Sequence, residues 1–572
     1  MANSRKTLQD MVHSLDQGGL VPVIRVAMFA ALILTLTLLY LFVQFRGLSS
    51  AAAMDQAQIA RQLAMGNGFS TQYIRPLAIK QLEDTGRQVP TGDFPDFFQS
   101  PLHPLLNSLP LKLVESSWKL SPTDLVYVGD RMIAAIAVLM FFLSIWVWYL
   151  VGCRLFDRLI ATIGCAIVIL CDLMWQFSLS GLPQMLLLLL LATASWLTLK
   201  AMENKDKLTT SLGFLFAAGL VFGLMVLTHG ATFWIFMGWL VFALFHFKPR
   251  GIAGLVALGA LLIVTLPWLA RNYSVCGNPL GLAGYEMVAP VNTAETGYLR
   301  SISDTPPLSG IHPFNRLKNA VFTQSDRLFA YLGVNIVAAA FFIALVHRFK
   351  SPATAAFRVC VVLMWLGAFV GMGLCGVEEV VSSNQFHVLF IPLFVFFGLA
   401  FLLVLWNRLE IEIPLLRNVF IGVLVFLCAL PMLATLFAGK DMAVQWPPYV
   451  PPFIAVLGDW YGKDEVIATD MPWATAWYAQ RKSLLLPKTI KDFNRISDFR
   501  VLGTQISGLY LTPVTGNRPL FGDIYKGPYT DWVFMITRPP NVQGFSLPVF
   551  TPLPIDGECI LFSDRDRWSR RE

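Results

Sequence analysis

Residues 386–406 read FHVLFIPLFVFFGLAFLLVLW, followed directly by Asn407 and Arg408. The run holds no Asp, Glu, Lys or Arg, and about 20 apolar residues are what a helix needs to cross the hydrocarbon core of a bilayer. The basic residue just past its end is where a cytosolic flank would carry one. Working outward, comparable apolar runs lie near 22–44, 128–151, 159–174, 182–199, 210–227, 231–246, 251–270, 328–346, 359–375 and 417–438. Composition agrees, at 56% hydrophobic, 14% charged and a mean hydropathy of +0.61. Soluble domains carry about 25% charged residues. The sequence therefore predicts an all-α polytopic membrane protein of about eleven spans.

The connecting loops orient these spans. One side carries Arg154 and Arg158, then Lys200, Lys205 and Lys207, then Lys248 and Arg250, then Arg348, Lys350 and Arg358, and finally Arg408 and Arg417. The short loops on the other side, 175–181, 228–230 and 376–385, hold no Lys or Arg. Lys and Arg collect in cytosolic loops, so the N-terminus is expected in the cytosol. Arg5, Lys6 and Arg25 precede the uninterrupted apolar stretch of the first run, from about Val26 to Val43, and Ala51-Ala52-Ala53 follows it like a cleavage site. The run exceeds a signal-peptide core in length, which predicts a retained helix. The net charge of +7 is then mostly an orienting charge, and nucleic acid is not an expected partner. The eight cysteines form no CxxC pair and no Cys/His ligand spacing. Cys276 and Cys559 are the pair that an oxidising compartment could join, against the plainer reading of scattered apolar fillers.

Two long loops and the tail then lie outside. Loop 45–127 exceeds any connector and predicts a functional role; a second runs over 271–327. The expected membrane domain is 1–439, with both loops, and 440–572 an extracytoplasmic α/β domain. Trp446 to Pro452 is Pro-rich and reads as a stiff linker. Beyond it, 465–469, 483–486, 508–511 and 559–562 are expected strands and 472–479 a helix with Pro at its start.

Within the first outer loop, 55–65 is expected to form an amphipathic helix with one face on the membrane, stopped by Gly66 and Gly68. Asp55 at its start admits two readings, an N-cap and a carboxylate placed to take a proton from an attacking hydroxyl. Further on, Phe97-Phe98-Gln99-Ser100-Pro101-Leu102-His103-Pro104-Leu105-Leu106 suggests a second interfacial helix after a rigid turn. His103 there reads as structural, or as a proton shuttle or phosphate partner.

These residues carry a resemblance. Asp55…Ala60-Arg61…Gly66-Asn67-Gly68 with Ser100-Pro101-Leu102-His103-Pro104 is similar to the first periplasmic loop of bacterial GT-C glycosyltransferases, the group of protein O-mannosyltransferases and the aminoarabinose transferase of lipid A. Pro267-Trp268-Leu269-Ala270-Arg271-Asn272…Gly277-Asn278-Pro279 resembles a signature leaving a late helix in that group. Asp464-Glu465…Asp470-Met471-Pro472-Trp473…Trp477-Tyr478-Ala479-Gln480-Arg481 resembles the opening of its outer domain. The resemblance implies transfer of a sugar from a polyprenyl-phosphate donor to an extracytoplasmic lipid, polysaccharide or protein, in a bacterial inner membrane. It makes Asp55 the base, and Arg271, His387, Arg75, Lys80, Arg131 and His103 candidates for the phosphate, with Arg271 and His387 preferred. Arg271 also reads as a headgroup anchor, and Arg131 as a partner of Asp130 or Asp124. Gln56 stands where relatives carry Glu, and Gln184 where they often show Glu. The loss of two acids argues against a divalent metal. The competing classes are a transporter or flippase of lipid-linked saccharides and a non-catalytic scaffold of the same fold. Transport would want ionisable residues at mid-span, and the runs hold almost none.

Overall fold

The computed structural model describes residues 21–120, 124, 126–287, 297–303, 313–349, 351–377, 379–411, 413–438, 450–512, 529–537, 545–553 and 559–569. The chain falls into two compact units that meet in sequence after Arg46. The first unit is the helix Val21–Leu38, which widens into a π-turn over Leu39–Gln44. The second unit, Gly47–Glu572, holds everything else.

Among the described residues eight helices are long and apolar enough to cross a membrane, or nine if one bent pair is a single span. Every expected run falls on helix, but three are not simple rods. The run 159–174 is bent by 57° between Arg158–Ile169 and Asp172–Ser180. Asp172 sits at the break, accepting from Gln176 Nε2 at 2.6 Å and Thr435 Oγ1 at 3.0 Å, so its carboxylate is satisfied inside an apolar segment. The run 328–346 splits into Leu328–Tyr331 and Ile336–Ala344. Gly333 and Val334 between them have φ of +69° and +55°, which no α-helix accommodates, and Asn335 Oδ1 restarts the helix by accepting from the Ala338 amide. The run 231–246 forms a shorter apolar helix, Gly230–His246.

Small residues bring the helices together. A Cβ on Gly398, in Ile391–Arg408, would lie 1.9 Å from the Val337 carbonyl oxygen of Ile336–Ala344, while one on Gly422 would meet nothing within 4 Å. Close backbone approach of this kind holds membrane helices together where no hydrophobic drive does. Gly398→Ala is therefore expected to lose monodisperse protein on size-exclusion chromatography, and Gly422→Ala to match wild type. Equal yields from both would show that this contact is dispensable.

Apart from the helical bundle, the chain forms a six-stranded sheet. Its strands are β2 (Tyr73–Ile74), β4 (Val466–Thr469), β5 (Lys482–Leu485), β6 (Ile506–Leu511), β7 (Val549–Leu553) and β8 (Cys559–Ser563), in the order β2-β5-β4-β6-β8-β7. The pairs β2–β5, β5–β4 and β4–β6 are parallel, and β6–β8 and β8–β7 are antiparallel. Four strands fall where the sequence places them, and Pro472–Ala474 with the π-turn Thr475–Ala479 fills the expected helix. Nothing in the residue pattern marks β2, a two-residue strand from the loop after the first span that lines Tyr73 up with Ser483 and Ile74 with Leu484. A separate two-stranded ladder pairs β1 (Ser70–Thr71) with β3 (Phe94–Pro95). Residues 446–449 of the Pro-rich linker lie outside the described residues, and Pro451 opens the helix Pro451–Trp460. Cys276 and Cys559 are buried and are not joined by a disulfide.

Candidate active site

The helix Ala51–Met65 starts at the extended Ser50 and stops at Gly66, whose φ of +86° lets the Gly66 and Asn67 amides donate back to Leu63 and Gln62. It does not lie on a membrane surface: residues 53–62 are all buried. Its polar side chains are absorbed by neighbours rather than by water. Nor is Asp55 the N-cap, since it lies a full turn inside the helix. The second expected interfacial helix forms as Leu102–Leu113, and Leu105, Leu109 and Leu113 make an exposed apolar stripe at i, i+4 and i+8.

Asp55 is 2% exposed. Its Oδ2 accepts from Arg75 and from Gln99 Nε2 at 2.6 Å, and its Oδ1 accepts from Gln58 Nε2 at 3.2 Å. Arg75 reaches it because β2 pins the chain up to Ile74. The residue before Pro76 is held extended, at φ −99° and ψ 130°. The same guanidinium donates to Asp96 Oδ1 at 3.1 Å and lies between the rings of Tyr73 and Phe98, 4.0 and 4.3 Å from their centroids. Asp96 is fixed in turn by the amides of Phe98 and Gln99. Burial pushes the Asp55 carboxyl above its usual value, as does the nearby Asp96 charge, and Arg75 opposes that rise without cancelling it.

A chain of side chains runs on from Asp55. Gln56 Nε2 donates to Gln99 Oε1 at 3.1 Å, and Gln56 Oε1 lies 2.5 Å from His103 Nδ1. Asn107 Nδ2 donates to His103 Nε2 at 3.0 Å, so Nδ1 carries the proton and gives it to Gln56. Burial lowers the His103 pKa to about 4, and the ring stays neutral. Gln56 thus does what a Glu could not: it accepts from His103 and donates to Gln99 at once.

Asp55, Gln56, Arg75 and Gln99 line one end of a cavity of about 510 Å³. Trp268 and Trp473 add aromatic surface, the latter from the turn after β4. Glu286, Arg316 and Asn384 also line this cavity. Asn384 Nδ2 donates to Glu286 Oε1 at 2.8 Å, and burial raises the Glu286 carboxyl against the pull of that bond and of Arg316.

The structure brings Asp55, Arg75 and His103 into one network. The other candidates stand elsewhere. Arg271 donates to the carbonyls of Asp96 and of Phe69 (3.2 Å) and lies 4.9 Å from the Trp268 ring centroid; it does not line the cavity. His387 is 0% exposed, with Trp365 Nε1 donating to Nδ1 at 3.0 Å and Nε2 facing Gln324 Oε1 at 3.2 Å. Lys80 pairs with Asp84 at 2.9 Å. Arg131 is half-buried on Val128–Leu155, and neither it nor Lys80 lines the cavity. Asp130 accepts from Trp477 Nε1 at 2.6 Å and Tyr478 Oη at 2.8 Å. Gln184 donates to the carbonyls of Ser382 and Ser383 at 3.1 and 2.7 Å, which Glu would meet with repulsion. Sequence reading missed Asp96, Gln99, Glu286 and Arg316. Gln99 was readable in hindsight, as a polar residue between Phe98 and the Pro101 turn. Among the described residues no cluster of three or more His, Cys, Asp or Glu could hold a metal ion.

No family model and no curated protein matches the chain. Solved structures do match it. The aminoarabinose transferase ArnT of Cupriavidus metallidurans, in a crystal structure bound to undecaprenyl phosphate, superposes with a TM-score of 0.55 over 95% of this chain and 99% of its own, at 10% identity. The archaeal oligosaccharyltransferase AglB of Archaeoglobus fulgidus, in complex with an inhibitory peptide and a dolichol-phosphate, gives 0.54 over 86% of this chain and 69% of its own, at 14% identity. The Archaeoglobus enzyme with zinc and sulfate gives 0.52 over 87% and 68%, at 13% identity. This chain therefore has the GT-C fold, a helical membrane bundle with a small α/β region.

Proposed function

We propose that this protein transfers a glycosyl group from a polyprenyl-phosphate donor to an acceptor on the outer face of the inner membrane, with Asp55 as the general base. The observation that carries the reading is the Asp55 carboxylate, held by Arg75 and Gln99 at the wall of a large, largely apolar cavity. The acceptor hydroxyl or amine attacks the anomeric carbon. The bond from that carbon to the phosphate oxygen breaks, polyprenyl phosphate leaves with the electron pair, and the acceptor proton passes to Asp55. A carboxyl raised by burial is a stronger base than an exposed one. Arg75 shares the cavity with Asp55 and Arg316 adds a second cation there, so both can meet the charge that develops on the leaving phosphate. Arg271 takes a positioning role, tying the Asp96 and Phe69 carbonyls behind the site. The N-terminus is placed in the cytosol. Residues 1–439 form the membrane domain and 440–572 the outer domain, whose sheet the first outer loop completes.

The test uses wild-type protein in nanodiscs with labelled polyprenyl-phosphate sugars and mixed membrane acceptors, and follows free polyprenyl phosphate. Release that depends on acceptor supports transfer. Folded protein that binds the lipid but turns over no donor is the scaffold outcome.

A further inference from the structure

The helix Leu102–Leu113 has two opposed faces. His103, Asn107 and Leu111, one turn apart along it, are 5%, 2% and 0% exposed, on a helix that packs against Ala51–Met65. Leu105, Leu109 and Leu113 repeat that spacing on the opposite side and are 52%, 69% and 83% exposed. The inward face ends the chain of hydrogen bonds that runs from Asp55 through Gln99 and Gln56 to His103 and Asn107. The outward face is bare.

Little within the helix itself keeps it in place. At 12 residues it is marginal alone, and Pro110 inside it has no amide to offer Leu106. A row of leucines turned to water would add an apolar patch to a weak helix. The bundle shows what covers them. The same helix packs on Val128–Leu155 and Leu208–Thr228, which are both long and apolar enough to cross a membrane. Its bare face therefore continues a surface that meets lipid. Being too short to span a bilayer, the helix lies along the surface with its leucines at the acyl boundary. Lys112 is exposed at the border of the stripe, where its long stem can lie on apolar surface and its ammonium can reach the headgroups.

We infer that the Leu105–Leu109–Leu113 face rests on the bilayer surface, and that the bilayer is thereby the outer support of the His103–Gln56–Gln99 chain behind Asp55. The docking stands on the helix alone, and its effect on turnover rests on the transferase reading. Lipid and active-site network are two sides of one helix. Lifting the leucines out of the membrane frees His103 and Asn107 to shift, and Gln56 with them.

The test has two arms. In the first, the photo-crosslinking amino acid p-benzoylphenylalanine replaces Leu109 in one protein. In a control it replaces Asp464, whose side chain is 93% exposed ahead of β4. Both are illuminated in nanodiscs of tritium-labelled phosphatidylethanolamine and phosphatidylglycerol. Labelled lipid should attach at position 109 and not at 464. In the second arm all three leucines become Gln, or all three become Met. Leu, Met and Gln have nearly equal helix propensities, so the two variants separate burial in lipid from helix formation. Hydrogen exchange of amides 102–113 should be about tenfold or more faster in the Gln variant and unchanged in the Met variant. In the Gln variant alone, kcat for acceptor-dependent release should fall about tenfold with the donor KM kept. A crosslink from position 109 to a second copy of the chain, or none to lipid, would overturn the docking. Fast exchange in the Gln variant with wild-type turnover would overturn the support of the site. Wild type that turns over no donor would remove the transferase reading and the effect on turnover with it, and the crosslink would still decide the docking.

Discussion

Asp55→Asn is expected to slow acceptor-dependent release of polyprenyl phosphate by roughly 10²–10⁴-fold, the range in which a positioned general base contributes. The exchange conserves size, and Arg75 keeps its ion pair with Asp96 at 3.1 Å, so folding should survive. The amide still accepts one hydrogen bond but cannot take a proton from the acceptor. Binding of undecaprenyl phosphate should persist in the variant. The pH profile offers a second readout. The Asp55 carboxyl is raised above the usual 3.8. Below its pKa it carries its own proton and cannot accept another, so the wild-type rate should climb with pH on an acid limb lying above 3.8, and Asp55→Asn should lose that limb. A variant that releases polyprenyl phosphate at the wild-type rate would place the base on another residue.

The second large effect is expected at Arg61. This arginine is 0% exposed, donates to the carbonyls of Ala476 and Trp477 at 2.6 Å each, and lies 4.7 Å from the Trp477 ring centroid. On the far side of that indole, Asp130 accepts from Trp477 and Tyr478. The π-turn of the outer region is thus gripped between the helix that carries Asp55 and the start of Val128–Leu155. Arg61→Met leaves two buried carbonyls unpaired and Asp130 without its nearby positive charge. A buried polar group left without its partner costs about 1–3 kcal/mol. The variant should melt well below wild type in detergent, and limited proteolysis should cut the outer region first. Adding Asp130→Asn should recover part of the loss, because the stranded charge is then gone. An Arg61→Met protein as stable and as protease-resistant as wild type would show that the grip is not energetic.

The bundle was legible because membrane spans announce themselves by length and by the absence of charge, and the runs at 386–406 and 128–151 needed nothing more. The breaks were not. Asp172, Gly333 and Val334 sit inside apolar runs, where one residue ends a helix without altering the average hydropathy. Asp55 could be picked out by its place just after the first span, as could His103 by its prolines. The cations could not be sorted. Arg75, Arg271 and Lys80 all lie near outer helix ends, and only tertiary structure decides that one faces the cavity, one ties carbonyls and one pairs along its own helix. Glu286 was hidden because its partner Asn384 lies in another loop and nothing periodic marks residues 271–327. The helix 51–65 misled by composition. Its Gln and Arg side chains look like a water-facing stripe, and they are bonded into the protein instead.

The pairing of β2 with β5 also sets when the fold can close. Tyr73 and Ile74 are made early, and Ser483 and Leu484 follow only after the last span. Chains grow at about 5–20 residues per second, so the early strand waits on the order of tens of seconds with its edge unpartnered. Arg61 waits with it, since Ala476 and Trp477 arrive in the same late segment. A ribosome that stalls between the two leaves a full set of spans beside a loop whose strand and arginine have no partners.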